Sequence, residues 1–588
     1  MSDIWAGAWA SLAVSAALLL ATTTNAAEKA RVEKDRAAEV LFAGGVVPRL
    51  EIRLSADAAE SLRQRPRSWT TCTLVEDGSK VHEAVAIKIK GSYGSTRDLD
   101  DRPALTLKMD KHVAGRHFHG LDKFHLNNSV QDESLLREWL GADIFRAAGI
   151  PAPRVTHARL WIDGQDVGMY VLKESFDEEF LRRNFVQPDG NLYDGGLHQD
   201  IDDGLERDEG RRGEPGDDLM ALAAACRAID DAARWRRIEA LIDLEEFLKF
   251  AALEALTGHW DGYCSMRNNY RVYVDPGTGG RARFLPHGMD QIFIDSGATV
   301  LAPPPALVAM TVMENPTWRK QYRVRLRELL PLFSADDRLL PRVDKVVAGL
   351  RPLIIEMDPD VAERFDAAVA DLRHQLVART ESLGEQVKAP EPILWPTRLQ
   401  AAARELCARD DPDDGSGDCD HRTAELLRSN VPWFECDDPD CERGYYDRWH
   451  TLLRHVQHTD AGPVVENLPP QFGSPLPEAR WLADIRLVGL EAWPAFGVGD
   501  DTSRSCDHVI TGIVGLKVHP DTTLEVDPNP PEAWNWFAMD RIAYHGRFVS
   551  VVWDRTGDRY GRAGLQVFVD GTEVKHTDTL QRIVTRLP

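Results

Sequence analysis

The chain has 588 residues, of which 94 are Asp or Glu and 70 are Lys or Arg, so its formal net charge is −24. A protein that coats phosphates needs basic residues in local excess, and basic runs here are only a few residues long. We therefore expect no nucleic-acid partner. The length predicts two or three domains.

The first 27 residues carry the pattern of a secretory signal. An apolar stretch runs from Trp5 to Ala21, and a polar Thr/Asn segment then leads to the small pair Ala26 and Ala27. This order is typical of a signal that is removed. A membrane anchor or a buried helix is the alternative, because residues 1–4 lack Lys and Arg. No later segment has the ~18 apolar residues of a spanning helix. We expect an exported protein, secreted or in the cell envelope, with no stable membrane span after signal removal.

Residues 38–388 predict one mixed α+β domain. Alternating apolar and polar residues at 50–54 and 85–89 predict half-buried strands. Residues 132–146 predict an amphipathic helix, with Asp132 as its cap and Gly149 after its end. Helical patterns dominate 215–258 and 302–388, with a strand hairpin near 269–294 between them.

Residues 389–475 are rich in Cys, Asp and Pro, and predict a loop-rich linker. Disulfides between Cys407 and Cys419 and between Cys436 and Cys441 are the simplest pairing of its four cysteines in an exported chain. A zinc site is the alternative, although it needs two matched pairs of ligands. Short strand patterns over 476–588, one with an Asp-Gly turn, predict a C-terminal β-sandwich. Its aromatic residues suit either a core or a glycan-binding surface.

Two strand patterns carry lysines in a setting that suits phosphate binding. The first, Val85–Lys90, leads into the glycine-containing segment Gly91–Thr96, and the second covers Leu105–Asp110. Apolar residues at 105, 107 and 109 occupy one face of the second strand, so Lys108 lies on the other. Protein kinases neutralise nucleotide phosphates with a strand lysine beneath such a loop. An ordinary hairpin with a solvated lysine is the alternative.

Carboxylates and amides further along the chain suit the part of a phosphoryl-transfer site that orients the hydroxyl and holds the metal. Asp261 follows His259-Trp and precedes Asn268 and Asn269, and Asp290 ends a strand pattern. An Asp in such a loop orients or deprotonates a hydroxyl, whereas an Asn and a strand-end Asp hold the metal. The alternative role for each Asp is a helix cap or a turn former.

In this order, the motifs resemble the CotH kinase family, the atypical kinase-like proteins named after a spore coat protein. The likeness covers roughly residues 45–385. The segments that carry it are Lys90–Ser95, Leu105–Lys108, Leu126–Ser129, Ser134–Arg137, Gly149–Arg154, Asp163–Glu174, Gly190–Tyr193, Trp260–Tyr263, Asn268–Tyr273 and Phe284–Asp290.

The resemblance implies a two-lobed kinase-like fold that binds ATP with Mg²⁺ or Mn²⁺. By motif match, the implied nucleotide-binding residues are Lys108, Lys90 and Glu174, the catalytic aspartate is Asp261, and the metal ligands are Asn269 and Asp290, with Asn268 as the alternative to Asn269. The family commonly has Trp-Asp-Leu-Asp where this chain has His-Gly-Met-Asp at 287–290, so Asp290 is the carboxylate that remains there.

The function that follows is transfer of the ATP γ-phosphoryl group to a hydroxyl of an extracytoplasmic protein. The alternative is a kinase-fold surface module without activity, which binds a protein or, through the C-terminal domain, a glycan. The degenerate segment at 287–290 and the uncertain supply of ATP outside the cytoplasm favour the alternative. The retained Lys108, Asp261, Asn269 and Asp290 favour the enzyme.

Overall fold

The computed structural model describes residues 29, 31–388 except 44–45, 93, 229–231 and 302–303, then 394, 406, 427, 431–465 except 455 and 460–461, and 508–587. The predicted signal, Cys407, Cys419 and most of the predicted linker lie outside these residues. The chain forms two compact units, residues 1–309 with 320–387 and residues 310–319 with 388–588. The domain boundaries drawn from the sequence stay predictions. No helix among the described residues is long and apolar enough to cross a membrane.

The first half of unit 1 is a closed seven-stranded barrel. Its strands are β1 (Arg49–Arg53), β2 (Thr70–Glu76), β3 (Lys80–Lys90), β4 (Ala104–Lys108), β5 (Lys123–Asn127), β6 (Val155–Ile162) and β7 (Gln165–Glu174). The order around the barrel is β1-β2-β3-β4-β5-β7-β6, and the parallel pairing of β1 with β6 closes it. The helices in this part of the chain are α1 (31–42), α2 (Ala56–Gln64) and α3 (Arg137–Ala147).

Apolar side chains fill the inside of the barrel and belong to one hydrophobic cluster. Leu105, Leu107 and Met109 are members of this cluster and are fully buried, which confirms the face predicted for that strand. Because strand side chains alternate between two faces, the residues between them lie on the outer face. Helix α3 begins at Arg137, five residues later than predicted, because the carboxylate of Asp132 accepts the backbone N–H groups of Ser134 and Arg137 ahead of its first turn.

A four-stranded sheet and a set of helices complete unit 1. The strands are β8 (Asn191–Asp194), β9 (Glu206–Glu209), β10 (Tyr270–Asp275) and β11 (Arg281–Pro286), in the order β11-β10-β8-β9, so β9 is an edge strand. The helices from this point of the chain are α4 (Glu178–Asn184), α5 (Asp217–Arg227), α6 (Ala232–Leu241), α7 (Leu244–Thr257), α8 (Tyr263–Met266), α9 (Leu307–Glu314), α10 (Pro316–Leu329), α11 (Leu340–Met357) and α12 (Pro359–Gln386). Of these, α9 from residue 310 onward and α10 up to residue 319 are counted in unit 2. The fold of unit 1 is therefore mixed α+β, as predicted.

Unit 2 contains the C-terminal strands in antiparallel sheets. Its elements are β12 (Trp433–Cys436), α13 (Pro439–Arg454), β13 (Val456–Thr459), β14 (Gly462–Val465), β15 (Leu516–Lys517), β16 (Thr523–Val526), β17 (Trp536–Tyr544), β18 (Arg547–Asp554), β19 (Gly564–Val569), β20 (Thr572–Thr577) and β21 (Ile583–Arg586). The larger sheet has the order β12-β17-β18-β19-β20, and a smaller one has β15-β16-β21. Residues of both sheets belong to one hydrophobic core.

The structure differs from the predicted linker over residues 433–454. Strand β12 pairs with β17 at the edge of the larger sheet, and Phe434 is 1% exposed. Helix α13 follows it, and the Tyr446 hydroxyl of this helix donates to the backbone oxygen of Phe434 at 2.8 Å. The aromatic residues of this stretch therefore pack a strand and a helix into the unit, although its Asp and Pro content predicts loops.

The predicted disulfide between Cys436 and Cys441 is not formed in the structure, where both residues are free thiols. Cys436 ends β12 and Cys441 lies in the first turn of α13, which brings the two thiols into hydrogen-bond contact. Oxidation of this pair stays a prediction. The other predicted pair lies outside the described residues.

Candidate active site

The outer face of the barrel carries a row of polar side chains that crosses four strands. In the strand register, Lys88 of β3 pairs with Thr106 of β4, Thr106 with His125 of β5, and His125 with Lys173 of β7. The Thr106 hydroxyl and His125 Nδ1 are hydrogen-bonded at 3.0 Å. Lys90 lies on the same face of β3, two residues along from Lys88. A sheet face with this many cations is unusual in a chain of net charge −24.

Lys173 forms a buried ion pair with a glutamate of α3. Its ammonium donates to Glu138 Oε1 at 2.5 Å, and both residues are at most 3% exposed. Helix α3 holds Glu138 in place through a close approach to the chain after β11. A Cβ at Gly141 would lie 2.9 Å from the Met289 sulfur and from Ile292 Cδ1, so a side chain here would force those two side chains to shift.

Lys90 has no carboxylate hydrogen-bonded to it among the described residues. Its ammonium donates to the neutral Oδ1 of Asn127 at 2.8 Å. Burial, together with the positive charge of Lys173, lowers the pKa of Lys90 to about 8. Lys90 is therefore a cation whose charge the surrounding protein compensates only in part, which is a setting that favours an anionic ligand.

Two imidazoles lie among these cations and are held neutral. Burial and the neighbouring lysines lower the pKa values of His125 and His287 well below the ordinary value. The Lys173 ammonium donates to Nδ1 of His287 at 3.0 Å, which leaves the proton of this imidazole on Nε2. His287 also packs edge-on against Phe176.

The loop after α7 carries Asp261 and is held by a buried carboxylate. Glu254, in the last turn of α7, accepts the backbone N–H groups of Tyr263 at 2.9 Å and Cys264 at 2.8 Å. A Cβ at Gly262 would lie 2.4 Å from Glu254 Oε1, so this glycine permits the close approach. The result is a tight turn in which Asp261 stays half-buried.

Asp261 is bound by both asparagines that follow it. Asn268 Nδ2 donates to one of its carboxylate oxygens at 2.9 Å, and Asn269 Nδ2 donates to the other at 2.7 Å. The Asn269 backbone is left-handed, with φ of 48°, a conformation that Asn tolerates better than most residues. The amide nitrogen of Asn269 is thereby committed to Asp261, and its Oδ1 lies against Gly288.

The segment 287–290 joins the two halves of the site. The backbone N–H of His287 donates to the backbone oxygen of Asn269 at 3.0 Å. The Nε2 of His259 donates to the backbone oxygen of His287 at 3.1 Å. Burial, together with the nearby carboxylate of Glu138, raises the pKa of Asp290 to about 7. No described side chain donates a hydrogen bond to Asp290. A carboxylate of this kind is stabilised in its charged form by a bound cation.

One carboxylate and one amide oxygen in these segments are of the kind that a divalent cation binds. Among the described residues, no group of three or more His, Cys, Asp or Glu side chains surrounds a common point. Asp290 would supply the carboxylate, and Asn269 Oδ1 would supply the amide oxygen. Mg²⁺ usually keeps several waters and takes one or two carboxylates plus phosphate oxygens, which matches this set.

Of the six predicted site residues, Asp261 and Asn269 are hydrogen-bonded to each other, and the charge of Asp290 acts on Lys90. Lys108 lies on the same face of the sheet, but its side chain is 38% exposed and 3.8 Å from Asp110. Glu174 is buried and ion-paired with Arg183 and with Arg154, the latter at 2.7 Å. Although burial opposes ionisation, these two arginines hold the pKa of Glu174 below its ordinary value.

Three residues of the site were not predicted from the sequence: Lys173, Glu138 and His287. Lys173 directly follows the apolar run Met169–Leu172 at the end of β7, and Glu138 lies between Arg137 and Trp139 in α3. Neither position stands out in the sequence. A buried charged residue is rarely left unpaired, but the burial of these two residues becomes visible only in the fold.

Comparison with known families identifies the class to which this fold and site belong. The sequence model of the CotH kinase protein family matches residues 87–383, half of the chain. The chain belongs to the CotH kinase family. A second model, for the C-terminal domain of glycosyl hydrolase family 65, matches residues 516–576 of unit 2.

Among curated proteins, the chain is similar to a spore coat protein and to fungal invasins. It is 24% identical to inner spore coat protein H of Bacillus subtilis, over 42% of this chain and 74% of that protein. It is 29% identical to invasin CotH2 of Rhizopus delemar, over 29% of this chain and 32% of the invasin. The chain therefore spans about a third of the length of the invasin.

Among solved structures, the HipA–HipB–operator DNA complex of Shewanella oneidensis matches 59% of this chain and 75% of the matched chain, at 14% identity and a TM-score of 0.29. A sialidase matches 41% of this chain and 25% of its own, at 21% identity and a TM-score of 0.14. Likeness at these scores carries no argument about fold or function.

Proposed function

We propose that this protein is an ATP-dependent phosphotransferase that acts on a hydroxyl group of a protein outside the cytoplasm. The observation that carries the proposal is that one site contains both a set of basic groups and a set of carboxylate and amide groups. Lys90 and Lys173 lie on the barrel, with Glu138 of α3 paired to Lys173, and Asp261, Asn269 and Asp290 lie on the segments that follow α7 and β11. Phosphoryl transfer requires cations for the phosphates, a carboxylate for the metal and a carboxylate for the attacking hydroxyl.

The proposed architecture is a two-lobed kinase-like domain. The barrel with α3 forms one lobe, and the four-stranded sheet with helices α5–α8, α11 and α12 forms the other. A buried lysine that is ion-paired with a helix glutamate supports this assignment, because protein kinases hold their phosphate-binding lysine in the same way. In this chain that pair is Lys173–Glu138, so we assign the role to Lys173 rather than to Lys108.

The residues divide the work of transfer between them. The ammonium groups of Lys90 and Lys173 bind and orient the phosphates and neutralise the charge that develops during transfer. Asp261 is held by two amides and orients the substrate hydroxyl, whose proton it accepts. Asp290 and Asn269 Oδ1 hold Mg²⁺ or Mn²⁺, which supplies charge neutralisation at the phosphates when it is bound.

The proposed location is outside the cytoplasm, in the cell envelope or beyond it. The relatives named as a spore coat protein and as invasins support a surface location, and so does the signal pattern of the first 27 residues. The substrate that follows is a secreted or surface protein.

A second candidate function is a surface module that binds a glycan through unit 2. The observation that favours it is the match of residues 516–576 to a domain of a glycosyl hydrolase family. Binding of this kind is compatible with an active kinase domain in the same chain.

Incubation of the purified protein with labelled ATP and Mg²⁺ or Mn²⁺ tests the proposal, with autophosphorylation and transfer to envelope proteins as readouts. We expect Lys173→Met to weaken nucleotide binding by about tenfold or more and to abolish transfer, because the charged hydrogen bond to phosphate is lost. Asp261→Asn should lower transfer by about 10²–10⁴-fold and change nucleotide binding little.

Lys108→Met is the matched control, because it removes a half-exposed lysine from the same sheet face. If Lys108→Met abolishes nucleotide binding and Lys173→Met does not, the sequence-based assignment is right and ours is wrong. If the unmodified protein binds no nucleotide with either metal, the phosphotransferase proposal falls.

A further inference from the structure

A third cation, Arg271, reaches the same site from the four-stranded sheet. It lies on β10, pairs in register with Asp194 of β8, and is 9% exposed. Its positive charge, with those of Lys90 and Lys173, acts on both His125 and His287. Three cations that converge on two neutral imidazoles repel one another unless anions lie between them.

The carboxylates that now hold Arg271 come from the outer strands of that sheet. Its guanidinium is ion-paired with Asp194 and, at 3.1 Å, with Asp208 of β9. Its Nε is buried and has no hydrogen-bond partner among the described residues. A guanidinium has five N–H donors and binds phosphate or carboxylate through two of them at once, so Arg271 has donor capacity to spare.

Strand β9, which carries Asp208, is a short edge strand. It is four residues long, and among the described strands it pairs with β8 alone. Its sequence Glu-Arg-Asp-Glu is acidic, and the charges of Glu206 and Asp208 act on Lys88 across the outer face of the barrel. The Asp208 side chain itself is 30% exposed. An anion that entered the site would compete with Asp208 for the same cations.

From this geometry we infer that Arg271 is a phosphate-binding residue of the site and that Asp208 on β9 occupies it until an anionic ligand arrives. The inference rests on the proposed function for its ligand, the polyphosphate of a nucleotide. When phosphate oxygens bind Arg271, the Asp208 carboxylate loses its partner, and β9 keeps its strand pairing with β8. Asp194 keeps Arg271 in place in both states.

Arg283 provides a matched control on the neighbouring strand. Like Arg271, it is ion-paired with two carboxylates, Asp275 at 3.0 Å and Glu246. It also lies over a phenylalanine ring, Phe185 at 5.2 Å, as Arg271 lies over Phe176 at 5.4 Å. The difference is that neither Lys90 nor Lys173 is among the charges that act on Arg283.

The test is calorimetric titration of the full chain with inorganic tripolyphosphate. Arg271→Gln should weaken binding by about tenfold or more, because charged hydrogen bonds to phosphate are lost, and Arg283→Gln should leave it unchanged. Asp208→Asn should strengthen binding by about fivefold or more, because the competing anion is gone. In a chain that already carries Arg271→Gln, Asp208→Asn should not change tripolyphosphate binding, because both substitutions act through the Arg271 guanidinium.

Asp208→Asn keeps the inference testable if Arg271→Gln destabilises the fold, because it leaves Arg271 paired with Asp194. The inference is overturned if the unmodified chain does not bind tripolyphosphate, or if Asp208→Asn binds no tighter.

Transfer from labelled ATP separates this inference from the proposed function. If transfer occurs while the tripolyphosphate results fail, the phosphotransferase stands and the role of Arg271 falls. If the tripolyphosphate results hold and no transfer is found, Arg271 and Asp208 form an anion site in a protein that is not a phosphotransferase.

Discussion

Gly288 lies where no other residue fits. Its backbone is left-handed, with φ of 54°, and a Cβ built on it would lie 2.3 Å from Asn269 Oδ1. The side chain of Asn269 therefore depends on a neighbour without a side chain. The segment 287–290 and the Asp261 loop are fitted to each other at this point, and a change in one is transmitted to the other.

We expect Gly288→Ala to destabilise the protein by about 1–3 kcal/mol and to weaken metal-dependent nucleotide binding, because Asn269 must move. Denaturant unfolding and nucleotide titration with Mg²⁺ check this. Gly279→Ala is the control, because Gly279 has φ of 82° but nothing within 4 Å of its added Cβ. An equal effect of both substitutions on nucleotide binding would show that Asn269 does not depend on Gly288.

Asp290 predicts a pH dependence of stability with a definite sign. Its pKa is raised from the ordinary 3.8 to about 7 in the folded chain, chiefly by burial. Below about pH 4 both folded and unfolded chains hold the proton. Between pH 4 and 7 only the folded chain keeps it, so the free energy of unfolding falls as the pH rises through this window.

Asp290→Asn should remove this decrease in the free energy of unfolding. At pH 7.5 the variant should therefore be more stable than the unmodified chain by about 1–3 kcal/mol, after allowance for solvent screening. Urea unfolding between pH 4.5 and 7.5 measures it. Asp366 is a control of opposite sign, because its hydrogen bond with Arg351 lowers its pKa. A variant that shows the same pH dependence as the unmodified chain would contradict the role given to Asp290.

At the scale of elements, strand β12 joins the larger sheet of unit 2 although its surroundings predict a linker. We expect Phe434→Ala to lower the free energy of unfolding of unit 2 by about 3–5 kcal/mol, as for other buried aromatic residues. Tryptophan fluorescence during denaturant unfolding gives the measurement. Val584→Ala on β21 is the control, because Val584 is 52% exposed. A loss no larger than that of the control would mean that 433–436 is a linker after all.

The elements that the sequence predicts correctly are those whose own pattern decides their state. The strand at 105–108 alternates strictly, and the hairpin near 269–294 appears as β10 and β11. By contrast, the strand pattern does not decide which lysine is the proposed phosphate-binding residue. Lys108 and Lys173 are both strand lysines, and only the position of α3, fixed by Gly141 against Met289 and Ile292, gives one of them a glutamate.

The same limit applies to the second half of the site. The motifs named Asp261, Asn269 and Asp290, because their spacing lies within short segments of the chain. Their contact with the barrel depends on pairings between residues more than a hundred positions apart, such as His287 with Lys173. Local sequence patterns do not show which distant residues pair in the fold. They therefore identify His287 as a degenerate motif position and not as a partner of Lys173.

For the whole molecule, the net charge of −24 opposes the approach of any anionic ligand, whereas the buried cations Lys90 and Lys173 attract an anion at short range. Salt screens the distant charges more than the partly buried ones. We therefore expect the association rate constant for ATP with Mg²⁺ to rise several-fold between 10 and 150 mM salt. Stopped-flow measurement checks this, with uncharged adenosine as the control. A rate that falls with salt would mean that the local cations dominate the field.

The parallel pairing of β1 with β6 fixes the order in which the barrel can fold. Residues 49–52 of β1 pair with residues 159–162 of β6, so closure must await a strand more than a hundred residues later. Pairings over such a distance are slow to form, because the intervening loop must lose entropy first. While the chain is being made, β1 therefore keeps one unpaired edge until β6 appears. A chain that ends before β6 therefore cannot close its barrel.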